Sequence, residues 1–102
     1  MIDIIIVNWN SGNHLKNCIE TLKSSKISKI IVVDNASTDG SIEFLSDYSN
    51  VFLINSDINH GFAKGCNIGA ELANSKFLLF LNPDASVYED TLEKVHMFME
   101  KP

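Results

Sequence analysis

The chain lacks any apolar run near the ~20 residues that a bilayer crossing requires. Its longest runs, Ile2–Val7 and Phe77–Leu81, are strand-sized, and Asp3 interrupts the first. The N-terminus carries no basic leader and no small-residue cleavage site, so it does not read as a secretion signal. Cysteine is scarce: Cys18 and Cys66 lie far apart and neither forms a CxxC pair, which argues against a zinc site. They read as small buried thiols of a reducing compartment. His14, His60 and His96 share no metal-ligand spacing such as HxxxH. Blocks of like charge, internal repeats, low-complexity tracts and linkers are also absent. The expectation is one soluble domain over residues 1–102, without a membrane span, placed in the cytoplasm or at the inner face of its membrane.

What is present suits a globular core. Of 102 residues, 45% are hydrophobic and 21% charged, richer in apolar groups than a disordered chain. Thirteen acidic residues against eight basic ones give a net charge of −5. A surface of that sign cannot displace counterions from a phosphate backbone, so no nucleic-acid partner is expected.

The β-branched run Ile2–Val7 reads as a strand buried on both faces, as in a parallel sheet. Leu15, Cys18, Ile19 and Leu22 follow at helical spacing, with Asn10 or Ser11 able to cap the helix start. Lys29–Asp34 is a second buried strand, followed by a polar loop and a short helix from Ser41 to about Tyr48 carrying Ile42 and Leu45 inward. Val51–Ile54 is a third strand. A helix reaching about Ala73 comes next, and its stretch holds Gly61, Gly65 and Gly69. Glycine is costly in a helix, so these three point to close backbone approach to a strand or a ligand. Phe77–Leu81 is a fourth strand, ended by Asn82-Pro83-Asp84. Asp90 then opens a last helix, with Glu93 completing a capping box and Leu92, Val95, Phe98 and Met99 facing inward. Glu89 belongs with Asp90 and Glu93 as helix-start charge.

Strand and helix thus alternate four times. The predicted fold class is α/β: a three-layer, Rossmann-like parallel sheet of about four strands with helices on both faces. Ligands of such sheets bind beyond the carboxyl ends of the strands. Polar residues gather there: Asn8 and Asn10 after the first strand, Asp34 to Asp39 after the second, Asn82 and Asp84 after the fourth. Neither GxGxxG nor GxxxxGK[ST] occurs, so these glycine-rich phosphate cradles are excluded. A divalent cation held by a strand-end carboxylate would serve as another counter-charge for phosphates.

Four segments resemble the motifs of glycosyltransferase family 2, in its rhamnosyltransferase-like branch. They are Val7-Asn8-Trp9-Asn10-Ser11, the stretch Val33-Asp34-Asn35-Ala36-Ser37-Thr38-Asp39-Gly40-Ser41, Asn59-His60-Gly61-Phe62-Ala63-Lys64-Gly65-Cys66-Asn67-Ile68-Gly69, and Leu81-Asn82-Pro83-Asp84. The resemblance implies the nucleotide-binding half of a GT-A fold and transfer of a sugar from a nucleoside diphosphate donor, UDP- or dTDP-linked, usually with inversion. It places Asn8 and Asn10 at the nucleoside pocket and Asp34 against the base N–H. Asn35, Ser37 and Asp39 flank base and ribose. Lys64 and Asn67 lie near the phosphates and sugar. Asp84 matches the last acid of a DxD-type site for Mg2+ or Mn2+, with Asn82 where the commonest form has a first acid. The family's catalytic base lies well downstream, so the chain reads as a truncated transferase domain with its base missing. The strongly apolar fourth strand is then an uncovered edge, and a homodimer through it is expected.

Structural alternatives stand beside these roles. Asp39 serves equally as a helix cap, Asp34 and Asp84 as turn residues, Lys64 as a solvated surface charge and Asn67 as a local hydrogen-bonder. Trp9 reads as a rim or core aromatic before a base-stacking one. A non-catalytic α/β binding module, such as a receiver-like domain phosphorylated at Asp34, is the alternative function, and a degenerate fragment with protein contacts is a third.

Overall fold

The computed structural model describes residues 1–88 and 90–101; Glu89 and Pro102 lie outside the described residues. The elements run β1 (Ile2–Asn8), α1 (His14–Glu20), β2 (Ile27–Asp34), a single 3-10 turn (Glu43–Asp47), β3 (Val51–Asn55), α2 (Phe62–Leu72), β4 (Phe77–Leu81) and α3 (Thr91–Glu100). All strand pairs are parallel, in the order β3-β2-β1-β4. The predicted parallel sheet is therefore present, with β1 and β2 at its centre.

The near-continuous apolar character of β1 and β2 follows from that position. Ile2, Ile4, Ile6, Ile30 and Val32 face Leu15, Cys18 and Ile19 from α1, Leu22 just beyond its end, Leu45 from the 3-10 turn and Leu92 from α3. Ile5, Val7, Ile31 and Val33 point the other way, against Cys66, Ile68 and Ala70 of α2. Two separate cores result, one on each face, because side chains alternate along a strand. Among the described residues no helix is long and apolar enough to cross a membrane.

The second core is thin because α2 lies close to the sheet. A Cβ on Gly65 would stand 2.7 Å from a Val7 methyl, and one on Gly69 would stand 2.6 Å from Ile5 Cγ2 and 3.1 Å from Val33 Cγ2. The close approach predicted from these glycines is thus to strands. Gly61 has another role: it precedes the helix at φ +82°, a conformation that glycine adopts without strain.

Several local expectations are corrected. The short helix expected from Ser41 to about Tyr48 is present but shorter, a 3-10 helix over Glu43–Asp47, as short segments favour i→i+3 bonding. Helix α1 begins later than expected and has no side-chain cap at Asn13. Asn10 and Ser11 do not cap it, because their side chains bond elsewhere: Asn10 Oδ1 accepts the Thr38 N–H at 2.7 Å and Ser11 Oγ donates to Asn8 Oδ1. The predicted capping box of α3 does not form. Asp90 pairs with Lys94 at 2.9 Å, and Glu93 Oε1 accepts the Ser24 hydroxyl at 2.7 Å. Phe98 and Met99, expected inward, are 74% and 41% exposed; of that face Leu92 is fully buried and Val95 partly so.

Asp3 sits in the α2-facing row of β1 and is completely buried. Its oxygens accept the Asn74 N–H (2.8 Å), the Ser75 N–H (3.0 Å) and the Ser75 hydroxyl (2.8 Å), and Lys29 Nζ lies 3.1 Å away. Burial pushes the carboxyl up, but the Ser75 hydroxyl, the two N–H groups and Lys29 together hold it below its ordinary value. The apparent break in the first strand is therefore a staple between β1, β2 and the α2–β4 connection.

Gly69→Ala forces a methyl into Ile5 and Val33 and is expected to cost about 1–3 kcal/mol by overpacking, read from denaturant midpoints; an unchanged midpoint would show that α2 moves freely. Because the Asp3 carboxyl is lowered on folding, its contribution is present above the unfolded carboxylate range and is lost as pH falls through the folded value. Asp3→Asn should therefore cost roughly 3 kcal/mol near pH 7, and the gap from the unsubstituted chain should begin to narrow below about pH 4 and go on narrowing as pH falls through the folded value. A gap equal at pH 7 and pH 2 would contradict the staple.

Candidate functional site

The parallel sheet brings the loops after all four strands to one rim. Two of them, after β1 and β2, are sewn together by side chains. Asn8 ends β1 with no exposed surface and Asp34 ends β2 with 2%. Asn8 Nδ2 donates to Asp34 Oδ1 at 2.9 Å and to Ser41 Oγ at 3.0 Å, with Ser37 Oγ farther off at 3.3 Å. The amide thus presents its nitrogen, a donor, to the accepting oxygen of Asp34. Asp34 Oδ1 also accepts the Ser37 hydroxyl at 2.7 Å, and Oδ2 accepts the Ser37 N–H at 3.0 Å. Ala36, between them, adopts φ +64°, a left-handed turn that aims the Ser37 N–H back at Asp34.

A second set of contacts runs along the outside. The Asn10 N–H donates to Ser37 Oγ at 2.9 Å. Asp39 accepts the Gly12 N–H at 2.9 Å through Oδ2 and the Ser41 N–H at 3.0 Å through Oδ1. Hydrogen bonds from Ser41, through its hydroxyl and then its N–H, and from Gly12 hold the Asp39 carboxyl below its usual value. Asp39 therefore closes a turn and bridges the two loops, and the 3-10 helix that follows has no side-chain cap. Asn35 is buried; its N–H donates to Asn8 O at 2.8 Å and its amide donates to Gly61 O at 3.1 Å, fastening the entry of α2 to β2. Its Oδ1 has no partner among the described residues.

The other predicted residues stand further out. Lys64 and Asn67 are exposed on α2; Gly65 rests on Val7, one residue short of the end of β1, so this part of α2 flanks the rim. Asn82 and Asp84 are exposed after β4. The loop they begin turns toward α1: Asn82 O lies 3.8 Å from Cys18 Sγ, and the Val87 N–H donates to Thr21 Oγ1 at 3.1 Å. Burial, reinforced by the Asp84 carboxylate, pushes the Cys18 thiol up to about 11, which keeps it a neutral core group. Asp34 and Asp84 share one rim with β1 between their strands, so the strand ends are roughly 9–10 Å apart. Trp9 is 56% exposed beside them and is a rim residue.

Among the described residues no three His, Cys, Asp or Glu side chains group as a metal cage. Asp84 is a single exposed carboxylate that enters no ion pair among the described residues. That donor set suits Mg2+ or Mn2+ shared with a ligand's phosphates, a mode that needs one or two carboxylates, and does not suit a cation held by protein alone. Ser11, read from sequence only as a helix cap, and Ser41 were not among the predicted site residues, yet both complete the network around Asn8. Their only sequence signal was adjacency to the asparagine and aspartate of the same motifs.

Comparison with known proteins follows the same outline. The family model described as Glycosyl transferase family 2 matches residues 3–102. A PGL/p-HBAD biosynthesis glycosyltransferase of Mycobacterium bovis is 31% identical over 97% of this chain and 41% of its own length. A low-salt glycan biosynthesis hexosyltransferase of Haloferax volcanii is 29% identical over 93% of this chain and 31% of its own length. The chain thus spans well under half the length of these curated relatives. The mannosyltransferase PcManGT from Pyrobaculum calidifontis, solved in complex with GDP-Man and Mn2+, superposes with a TM-score of 0.88 at 19% identity, over 99% of this chain and 32% of that one. Residues 1–349 of S. aureus TarS superpose with a TM-score of 0.87 at 22% identity, over 97% of this chain and 32% of that one. These superpositions establish the GT-A type of fold.

Proposed function

Since the chain belongs to glycosyltransferase family 2, we propose that it is the donor-binding part of an inverting transferase that moves a hexosyl or rhamnosyl group from a UDP- or dTDP-sugar to an acceptor hydroxyl, in polysaccharide biosynthesis in the cytoplasm. The observation that carries this reading is the single polar rim, with Asp34 fixed at the end of β2 and Asp84 exposed after β4 on the same side.

The chemistry assigned to these residues is as follows. Asp34 Oδ2, which accepts one hydrogen bond within the protein, takes a second from the N–H of a pyrimidine base. Asn10, Ser37 and Asp39 form the wall beside base and ribose, and Trp9 stands at their edge. Lys64 and Asn67, on α2, approach the diphosphate and sugar. In the displacement the acceptor oxygen forms a bond to the anomeric carbon, and the bond to the diphosphate oxygen breaks with its electron pair. The acceptor proton passes to a carboxylate base that none of these residues supplies. A bound Mg2+ or Mn2+ contributes Lewis-acid stabilisation of the charge on the departing diphosphate; Asp84, with Asn82 next to it, would hold that ion. The support for a divalent ion and a nucleotide sugar is the chemistry of this donor set together with the GDP-Man and Mn2+ bound in the similar mannosyltransferase. A receiver-like role fits less well, because Asn8 and Asn10 stand after β1 where an acidic pair would be needed.

Calorimetry with UDP and dTDP, each with and without Mg2+ or Mn2+, tests the proposal. Binding should strengthen with the cation, and Asp84→Ala should abolish that gain while keeping the cation-free affinity. Asp34→Ala should weaken binding about tenfold or more under both conditions, as expected for a lost charge-assisted hydrogen bond. Silence at millimolar nucleotide from a chain with an intact circular-dichroism spectrum would refute it. Pairing of a second copy along β4, a terminal strand with Leu78 and Phe80 exposed, belongs to the same reading; a monomer at every concentration in light scattering removes it.

A further inference from the structure

Asn8 is placed differently from the other residues of the rim. It has no exposed surface, and its hydrogen-bonding capacity is used inside the protein. Both amide protons have acceptors, Asp34 Oδ1 and Ser41 Oγ, and Asn8 Oδ1 accepts the Ser11 hydroxyl. The Asn8 carbonyl accepts the Asn35 N–H. One side chain thereby touches both strand ends and the start of each loop. Asp34 is held complementarily: Oδ1 is saturated by Asn8 and the Ser37 hydroxyl, while Oδ2 takes a single bond from the Ser37 N–H.

We propose that Asn8 is a positioning residue that never touches the ligand: it saturates one oxygen of Asp34, so that the carboxylate is locked with Oδ2 as its remaining acceptor for the N–H of a pyrimidine base. The inference rests on the nucleotide reading above and adds to it a cause for the orientation of Asp34. Asparagine is the residue type that does this. It is as long as aspartate, it donates where aspartate would repel, and its own oxygen anchors the Ser11 loop. The neighbouring titratable groups do not compete for the role. Asp39 is engaged by Gly12 and Ser41. Cys18, from the α1 side, and Cys66, from the α2 side, have thiols pushed up by burial. Asp57, Lys64 and His14 are exposed, and His60 is half-buried, on the surrounding elements.

Asn8→Asp separates positioning from contact. It sets a second carboxylate against Asp34 Oδ1, and two carboxylates at that distance share one proton. When the pair holds that proton, its O–H replaces the amide N–H and Asp34 keeps its place. When the proton leaves, repulsion opens the loop. Dissociation constants for UDP and dTDP are measured at pH 5, 6.5 and 8 for both proteins, and the variant is compared with the unsubstituted chain at each pH, which cancels titration of the nucleotide. The expected result is near-equal affinity at pH 5 and a variant weaker by tenfold or more at pH 8, with both proteins folded throughout. A ratio that stays constant across this range, whether near one or far from it, overturns the positioning role. An unsubstituted chain that binds neither nucleotide overturns the donor reading as well, and so is told apart from a constant ratio. Should Asn8→Asp not fold, NMR on the unsubstituted chain decides: the Asn8 side-chain amide protons should stay protected from exchange and show no NOE to bound nucleotide. An NOE from that amide to base or ribose overturns the proposal.

Discussion

A buried hydrogen bond between an amide and a carboxylate, from Asn8 Nδ2 to Asp34 Oδ1, joins the two central strands at the end where the loops diverge. Its setting is what gives it weight. A carboxylate withdrawn from water is costly unless its oxygens are satisfied, and a neutral donor satisfies one without adding a second charge. The loops after β1 and β2 can take their shape only while that bond and its serine partners persist. Ala36 stays left-handed, and Asn10 and Asp39 cross to the opposite loop, because the network over-determines the backbone there. The polar rim is a pre-built surface and not a set of independent side chains waiting for a ligand.

The sheet that carries this rim is held by two unlike cores. On the α1 face large aliphatic side chains interlock across the layers. On the α2 face the helix backbone itself meets Val7, Ile5 and Val33 at Gly65 and Gly69. That close approach keeps the first turns of α2, with Lys64 and Asn67, beside the ends of β1 and β2. At the opposite end of β1, Asp3 applies the same physics as Asp34: a buried carboxylate stabilised by converging N–H and O–H donors, here tying the sheet to the segment that leads into β4. One strand therefore has a satisfied polar anchor at each end and an uninterrupted apolar middle.

The arrangement of elements was largely legible before any coordinates. The four strands and their parallel class follow from short apolar runs alternating with helical stripes. The glycines of α2 announced a close approach, although the sequence left open whether to strand or ligand. The clustering of Asn8, Asp34 and Asp84 at one rim followed from topology alone. The details of capping were not legible. Asn10, Ser11, Asp90 and Glu93 all looked like local caps, and each spends its side chain elsewhere, on the neighbouring loop, on Asn8, on a lysine one turn away or on Ser24. Phe98 fits the inward stripe by spacing, yet α3 buries only Leu92 of that stripe.

The residue string alone thus determined which segments become strands and helices, since hydrophobic periodicity is a property of near neighbours along the chain and survives any rearrangement of distant partners. It also carried the family motifs in order. Only the tertiary structure decided what each polar group does. Asn8 lies beneath the rim, Asp39 bridges loops, and Asp3 is a staple, because their partners come from segments remote in sequence. A hydrogen bond depends on distance and direction to within fractions of an ångström, and those are set when the layers pack, not when the residues are written in line.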